Sequence, residues 1–219
     1  SGGVVENNLF VRDPLAMFSA NLPTRIADNV VIEGTDILAA TPLARAYGIE
    51  VLQTTDAVVE NNIVANKLST SPYTGSAFSF GYGDPAELVL PTEYRWKLVN
   101  NIVYNWCNEN YSSDALDLND SGYTSGAISG NIIQQNCTSG GIAYSRPVTT
   151  DPSKVSIYDN LYYSAKDPNR WFGSAGFEIS LATWRNQCYS DNSVTARIFF
   201  ADPKRNLATY NQSIGGTAS

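Results

Sequence analysis

A short motif recurs six times along the chain and limits its folds more than any other feature. An aliphatic residue is followed by two residues, an Asn and a second aliphatic residue, and the position before the Asn holds Asn, Asp or Gly. The copies are Val5-Glu6-Asn7-Asn8-Leu9, Ile26-Ala27-Asp28-Asn29-Val30, Val59-Glu60-Asn61-Asn62-Ile63, Leu98-Val99-Asn100-Asn101-Ile102, Ile128-Ser129-Gly130-Asn131-Ile132 and Ile157-Tyr158-Asp159-Asn160-Leu161. The anchoring Asn residues are 21, 33, 39, 30 and 29 positions apart. A constant core at variable spacing marks a coil repeated along one axis, with insertions of different length between turns.

The chemistry of each copy reads as strand, corner, strand. Asn, Asp and Gly are the residues that best tolerate left-handed backbone angles, so the chain can bend sharply at the pair. Short apolar runs flank it, and helical periodicity is scarce. Equivalent residues of successive coils stack at about 4.8 Å, so every column must be compatible with itself. The position after the Asn reads Leu9, Val30, Ile63, Ile102, Ile132 and Leu161, all aliphatic. The Asn column predicts an amide ladder, each side chain donating to the next.

Composition closes off several functions. The chain has 219 residues, of which 43% are hydrophobic and 11% aromatic, enough for a real core. Its formal net charge of −7 excludes a general binder of phosphate backbones, so no nucleic acid is expected as a partner. It has no histidine, which removes Ser-His-Asp and Cys-His mechanisms and His-ligated zinc. No apolar run approaches the roughly 18 to 20 residues of a membrane span, and the opening SGGVVENN lacks the features of a signal peptide, so a soluble, processed chain is expected.

Three cysteines, Cys107, Cys137 and Cys188, are too few and too spread for a zinc or iron–sulfur cluster. Cys107 and Cys137 each lie six residues after a ladder Asn, which puts them in one column on consecutive coils. Their Cα atoms should be about 5 Å apart, inside the disulfide window of about 4.4 to 6.8 Å. A disulfide and a pair of stacked thiols both fit; Cys188 is expected to be unpaired.

The segments VENNIVAN, NNIVYNW and SGNIIQQN resemble turns of the right-handed parallel β-helix proteins, the superfamily that includes pectate lyases, polygalacturonases and phage tailspikes. The resemblance covers roughly residues 4 to 200 and implies an all-β, right-handed parallel β-helix with an Asn ladder at one bend. Residues 1–200 then form the coils with their closing section, and 201–219 an extended tail. The run Ser180-Leu181-Ala182-Thr183-Trp184-Arg185 is similar to the short helix that packs across the last turn in that family. The first motif starts so early that no capping helix fits before it, which predicts an upstream domain or a neighbouring subunit stacked on the first coil.

The resemblance implies an extracellular domain that binds or processes a polysaccharide, as part of a lyase or hydrolase acting on an acidic glycan, and function resides in sites grafted on the fold. Alternation along the strands before each corner predicts an outward row of Glu50, Ser79, Asp117, Ala143 and Glu178. The resemblance makes the corresponding sheet the floor of the substrate groove. Asp117 is then a catalytic candidate, and Asp114, Asp117 and Asp120 form the best acidic cluster, of the kind that holds calcium in the family. Lyases of this fold abstract a proton with Arg or Lys, for which Arg95 and Lys97 in Tyr94-Arg95-Trp96-Lys97 are candidates. Glu50, Asp114, Glu178, Tyr82 and Trp96 are the expected sugar contacts, and calcium is the only cofactor implied. The insertions 65–77 and 81–95 supply loop aromatics such as Tyr73, Tyr82 and Tyr94. Asn110-Tyr111-Ser112, Asn136-Cys137-Thr138 and Asn211-Gln212-Ser213 fit the glycosylation triplet. The other reading is a structural coil stack that assembles without catalysis.

Overall fold

The computed structural model describes residues 3–12, 15–18, 23–33, 47–52, 56–67, 75–81, 95–107, 113–118, 125–145, 152–174, 176–187 and 190–200, with positions 209 and 212. The strands come in successive groups of three. The first circuit is β1 (Gly3–Glu6), β2 (Leu9–Val11) and β3 (Leu15–Phe18), and the second β4 (Thr24–Ala27), β5 (Val30–Ile32) and β6 (Ile49–Leu52). The third and fourth are β7 (Asp56–Glu60), β8 (Ile63–Ala65), β9 (Phe78–Gly81), then β10 (Arg95–Val99), β11 (Ile102–Tyr104) and β12 (Ser113–Leu118). The fifth and sixth are β13 (Ser125–Ser129), β14 (Ile132–Gln135), β15 (Gly140–Ser145), then β16 (Val155–Tyr158), β17 (Leu161–Ser164) and β18 (Phe172–Ser174). After these come β19 (Phe177–Ile179), the helix α1 (Leu181–Gln187) and β20 (Val194–Thr195).

Each strand pairs in parallel with its equivalent one circuit on, giving three sheets. The first is β1-β4-β7-β10-β13-β16 and the second β2-β5-β8-β11-β14-β17-β20. The third runs from β3 through β6, β9, β12 and β15 to β18, where β19 adds in antiparallel fashion. The chain is all-β with parallel sheets, an arrangement consistent with a β-helix.

The corners follow the residue chemistry. Asn7, Asp28, Asn61, Asn100, Gly130 and Asp159 all have φ between 55° and 66°. The next residue turns inward and builds the ladder: Asn8, Asn29, Asn62, Asn101 and Asn131 each donate from Nδ2 to the Oδ1 of the following Asn at 2.9 to 3.1 Å. The backbone N–H of each donates to the same oxygen. Ser193 ends the ladder, its Oγ accepting from Asn160 N and Nδ2 at 2.9 and 3.0 Å. Amides at a dry corner are thereby paired along the stack.

Beside the ladder the core is stacked aliphatic columns. Ile26, Val59, Leu98 and Ile128 form one from the first sheet, and Val31, Val64, Val103 and Ile133 another from the second; all eight are buried. Trp106 and the stacked pair Phe80–Trp96, with ring centroids 4.7 Å apart, fill the middle. Cys107 and Cys137 are disulfide-bonded with Cα atoms 6.3 Å apart, which settles the two readings of that column.

A second left-handed column, Arg12, Glu33, Asn66 and Asn105, lies at the far end of the second sheet, and only its last two members carry the Asn signature. Within it Arg12 pairs with Glu33 at 2.9 Å. The expected helix is present: Ser180 Oγ accepts the N–H of Thr183 at 3.2 Å, and Trp184 is buried against Phe172, centroids 4.9 Å apart. Beyond β20 the chain lies along the second sheet, Ile198 N donating to Gln134 Oε1 and Phe200 packing on Tyr104. Cys188 and most of residues 201–219 lie outside the described residues. Among those described, no helix is long and apolar enough to cross a membrane.

Candidate functional site

The outward row of the third sheet is where the sequence places the substrate. Its register reads Glu50, Ser79, Asp117, Tyr144 and Gly173, strand by strand. Tyr144, not Ala143, holds the fifth circuit's place. Ala143 pairs with Leu116 and is buried in the core. Two consecutive residues are buried on each of these strands, Ala115 with Leu116 and Ile142 with Ala143, so strict alternation slips by one.

Glu178 reaches the row by another route. Gly176, at φ 87°, turns the chain back, and β19 pairs antiparallel with β18 so that Glu178 faces Gly173. Alternation on a parallel strand would turn both Phe177 and Ile179 inward; on the antiparallel strand Ile179 packs against the core and Phe177 is 74% exposed. The reversal breaks the inward alternation assumed for this segment.

Glycines make room for the side chains above them. A Cβ on Gly173 would lie 2.4 Å from the ring of Tyr144, and one on Gly141 would lie 1.9 Å from Asp114 Oδ1. Tyr144 and Asp114 therefore lie directly over bare backbone of the neighbouring strand. Asp114 and Asp117, three residues apart in β12, interact electrostatically despite the alternation that should part them.

Lys166 and Arg170, which no motif in the sequence marks, complete the cluster. Lys166 is buried, and its Nζ meets Glu178 Oε1 at 2.6 Å, while Arg170 donates to the other oxygen of Glu178. Trp171 Nε1 donates to the Lys166 carbonyl at 2.8 Å and fixes the turn that carries it. Burial works to raise the Glu178 carboxyl, but hydrogen bonds from Lys166 and Arg170 outweigh it and hold the group below its ordinary value. Asp114 goes the other way: burial pushes it up to about 6, Lys166 opposes, and Asp117 and Glu178 add to the rise. One carboxyl is thus held charged beside another held ready to keep a proton, the kind of divergence that separates acid from base roles.

The other candidates fall elsewhere. Arg95 and Lys97 lie on β10 in the first sheet, with Arg95 Nε on Asp56 Oδ1 at 2.8 Å, so no single face gathers Lys97 with Asp117. Trp96 is 4% exposed and stacked on Phe80, and it offers no open ring to a sugar; Trp106 and Trp171 are buried as well. Tyr82 and Asp120 lie outside the described residues. Among those described, no three His, Cys, Asp or Glu side chains converge as metal ligands. Asp114 and Asp117 alone fall short of the six or more oxygens calcium takes. Asn136, in one of the glycosylation triplets, donates its Nδ2 to Asn105 Oδ1 at 2.8 Å and is committed to a second amide pair.

No protein-family model matches the chain, nor does any curated protein or solved structure. The functional reading therefore rests on this geometry.

Proposed function

We propose that the chain is a right-handed parallel β-helix of the pectate-lyase-like kind that works outside the cell, binding and processing a polysaccharide across the outer face of its third sheet. Strand–crossover–strand connections between parallel neighbours are right-handed almost without exception, which supports the hand. The observation that carries the function is Asp114 laid over Gly141 beside Asp117, with Lys166 and Glu178 at its flank. A carboxyl that keeps its proton near pH 6 suits protonation of a glycosidic oxygen, and a second carboxylate nearby completes the pair that glycoside hydrolysis uses. Tyr144, outward on the neighbouring strand, supplies an apolar surface for a sugar ring.

Glu50, Asp114 and Asp117 favour an uncharged sugar over an acidic one unless a cation sits between them. The test is release of reducing ends from neutral and acidic polysaccharides, each with and without calcium. Asp114→Asn should abolish cleavage and leave binding intact, while Tyr144→Ala should weaken binding. Binding and cleavage that persist unchanged in both variants would remove this face from consideration.

The second reading is an assembly protein. It is favoured by the outer face of the second sheet, where Leu9, Val30, Ile63, Ile102, Ile132 and Leu161 stack as a partly exposed aliphatic column. Ordered oligomers without glycan activity, seen by sedimentation, would select it.

A further inference from the structure

The outer face of the first sheet holds an open trough of about 380 Å³ that the glycan reading does not use. Its side chains form a grid fixed by strand register. One row runs Asp56, Arg95, Ser125, and Lys154 continues it just ahead of β16; the next runs Val58, Lys97, Ala127, Ser156. Neighbours along a row are one strand spacing apart, about 4.8 Å, and the rows are two residues apart, about 7 Å.

The charges surround a dip. On β13 the outward residues are Ser125 and Ala127, both short, so the sheet is low there. Arg95 and Lys97 rise on one side of it and Lys154 on the other, across two strand spacings, about 9 to 10 Å. Three cations face one carboxylate, Asp56, which already holds Arg95. Lys97 and Lys154 are exposed and form no ion pair among the described residues. This local positive excess stands on a chain of net charge −7, where unpaired cations side by side repel one another without an anion to offset them.

We propose that this trough binds a phosphate group, carried on a monoester or as free phosphate, over β13 between Lys97 and Lys154. A planar carboxylate presents its acceptors to one side, as Asp56 does to Arg95. A tetrahedral oxyanion presents them all round and can take donors from both walls, with the Ser125 and Ser156 hydroxyls beside it. Its charge of about −1.5 to −2 matches the local excess. The site lies on another sheet from Asp114 and does not depend on the glycan reading.

The test is titration of the full chain with inorganic phosphate, glycerol 3-phosphate and sodium sulfate at low ionic strength, followed by backbone amide NMR shifts. Saturable shifts confined to β10, β13 and β16 are expected, with sulfate weaker than phosphate. Tighter binding of glycerol 3-phosphate than of inorganic phosphate identifies an ester as the ligand, and equal binding identifies free phosphate. Lys97→Ala and Lys154→Ala should each weaken binding about tenfold, the worth of one charge-assisted hydrogen bond. Ala127→Glu should abolish it by filling the dip with a like charge, and Arg12→Ala on another sheet should change nothing. The proposal fails if no probe saturates, if the lysine variants bind as the parent does, or if Arg12→Ala weakens binding as much as they do.

Discussion

Asn62 and Asn101 stand 39 residues apart in sequence, yet the backbone N–H and the Nδ2 of Asn62 both donate to Asn101 Oδ1, at 2.9 and 3.0 Å. Asn101 in turn donates from Nδ2 to the carbonyls of Val59 and Val99. Truncating it leaves the buried backbone N–H of Asn62 without its acceptor, at about 1 to 3 kcal/mol, and removes the further hydrogen bonds that Asn101 Nδ2 gives to Val59 O, Val99 O and Asn131 Oδ1, worth about 1 kcal/mol each. Asn101→Ala should therefore lower the unfolding free energy by about 3 to 5 kcal/mol in urea denaturation. Asn8→Ala, at an exposed rung, should cost under about 1 kcal/mol by the same reasoning.

The corner before the ladder predicts a sharp difference between substitutions. Gly130 sits at φ 66°, and a Cβ there would lie 2.3 Å from Asn100 Oδ1. Gly130→Val should cost about 2 kcal/mol or more, through left-handed strain and the contact. Asn61→Gly, at φ 56°, should be neutral within about half a kcal/mol. Thermal denaturation of the two variants side by side checks the pair.

The disulfide closes a sequence separation of 30 residues. Loop closure on that scale is worth about 3 to 4 kcal/mol to the fold. A Cys107→Ala, Cys137→Ala double variant should lose that much, and the denatured, unreduced protein should titrate one thiol of its three cysteines. Three reactive thiols would contradict the pairing.

Asp114 sets a pH dependence with a defined sign. Its carboxyl rises from 3.8 to about 6 on folding, so the folded state holds a proton that the unfolded chain releases. Its contribution is complete below about pH 4, falls as pH rises through 6, and leaves a penalty of up to about 3 kcal/mol above that. Asp114→Asn should be more stable than the parent at pH 7.5 and differ little at pH 4. Glu178, held below its ordinary value by Lys166 and Arg170, acts oppositely, and its contribution is lost only as the pH drops under the usual carboxylate range. Parallel melting curves across pH distinguish the two.

The ladder was legible because its chemistry is local: only Asn, Asp and Gly take the left-handed position easily, and only a self-pairing side chain can stack on itself. The same argument placed Cys107 beside Cys137. The second left-handed column is legible only at Asn66 and Asn105, because Arg12 and Glu33 have no preference for that conformation and the coil imposes it on them. The sequence aligns Glu50, Ser79 and Asp117 in the register they hold, although Ser79 is buried, and slips at Ala143, where two consecutive residues are buried. Lys166 left no trace in the sequence, since its partner Glu178 arrives on a strand that runs against the repeat. Arg95 and Lys97 share an exposed strand face with Trp96 buried opposite, as alternation predicts, but on a different sheet from Asp117, because the motif fixes which residues point outward and not which sheet a ligand would choose.

The most direct test of the account is the nuclear Overhauser pattern of the side-chain amides of Asn29, Asn62, Asn101 and Asn131. Four slowly exchanging NH₂ groups, each with a cross-peak to the next Asn in the order 29, 62, 101, 131, are the predicted result. Rapid exchange with water and no contacts among these asparagines would show that the corners do not stack, and would contradict the three parallel sheets built on them.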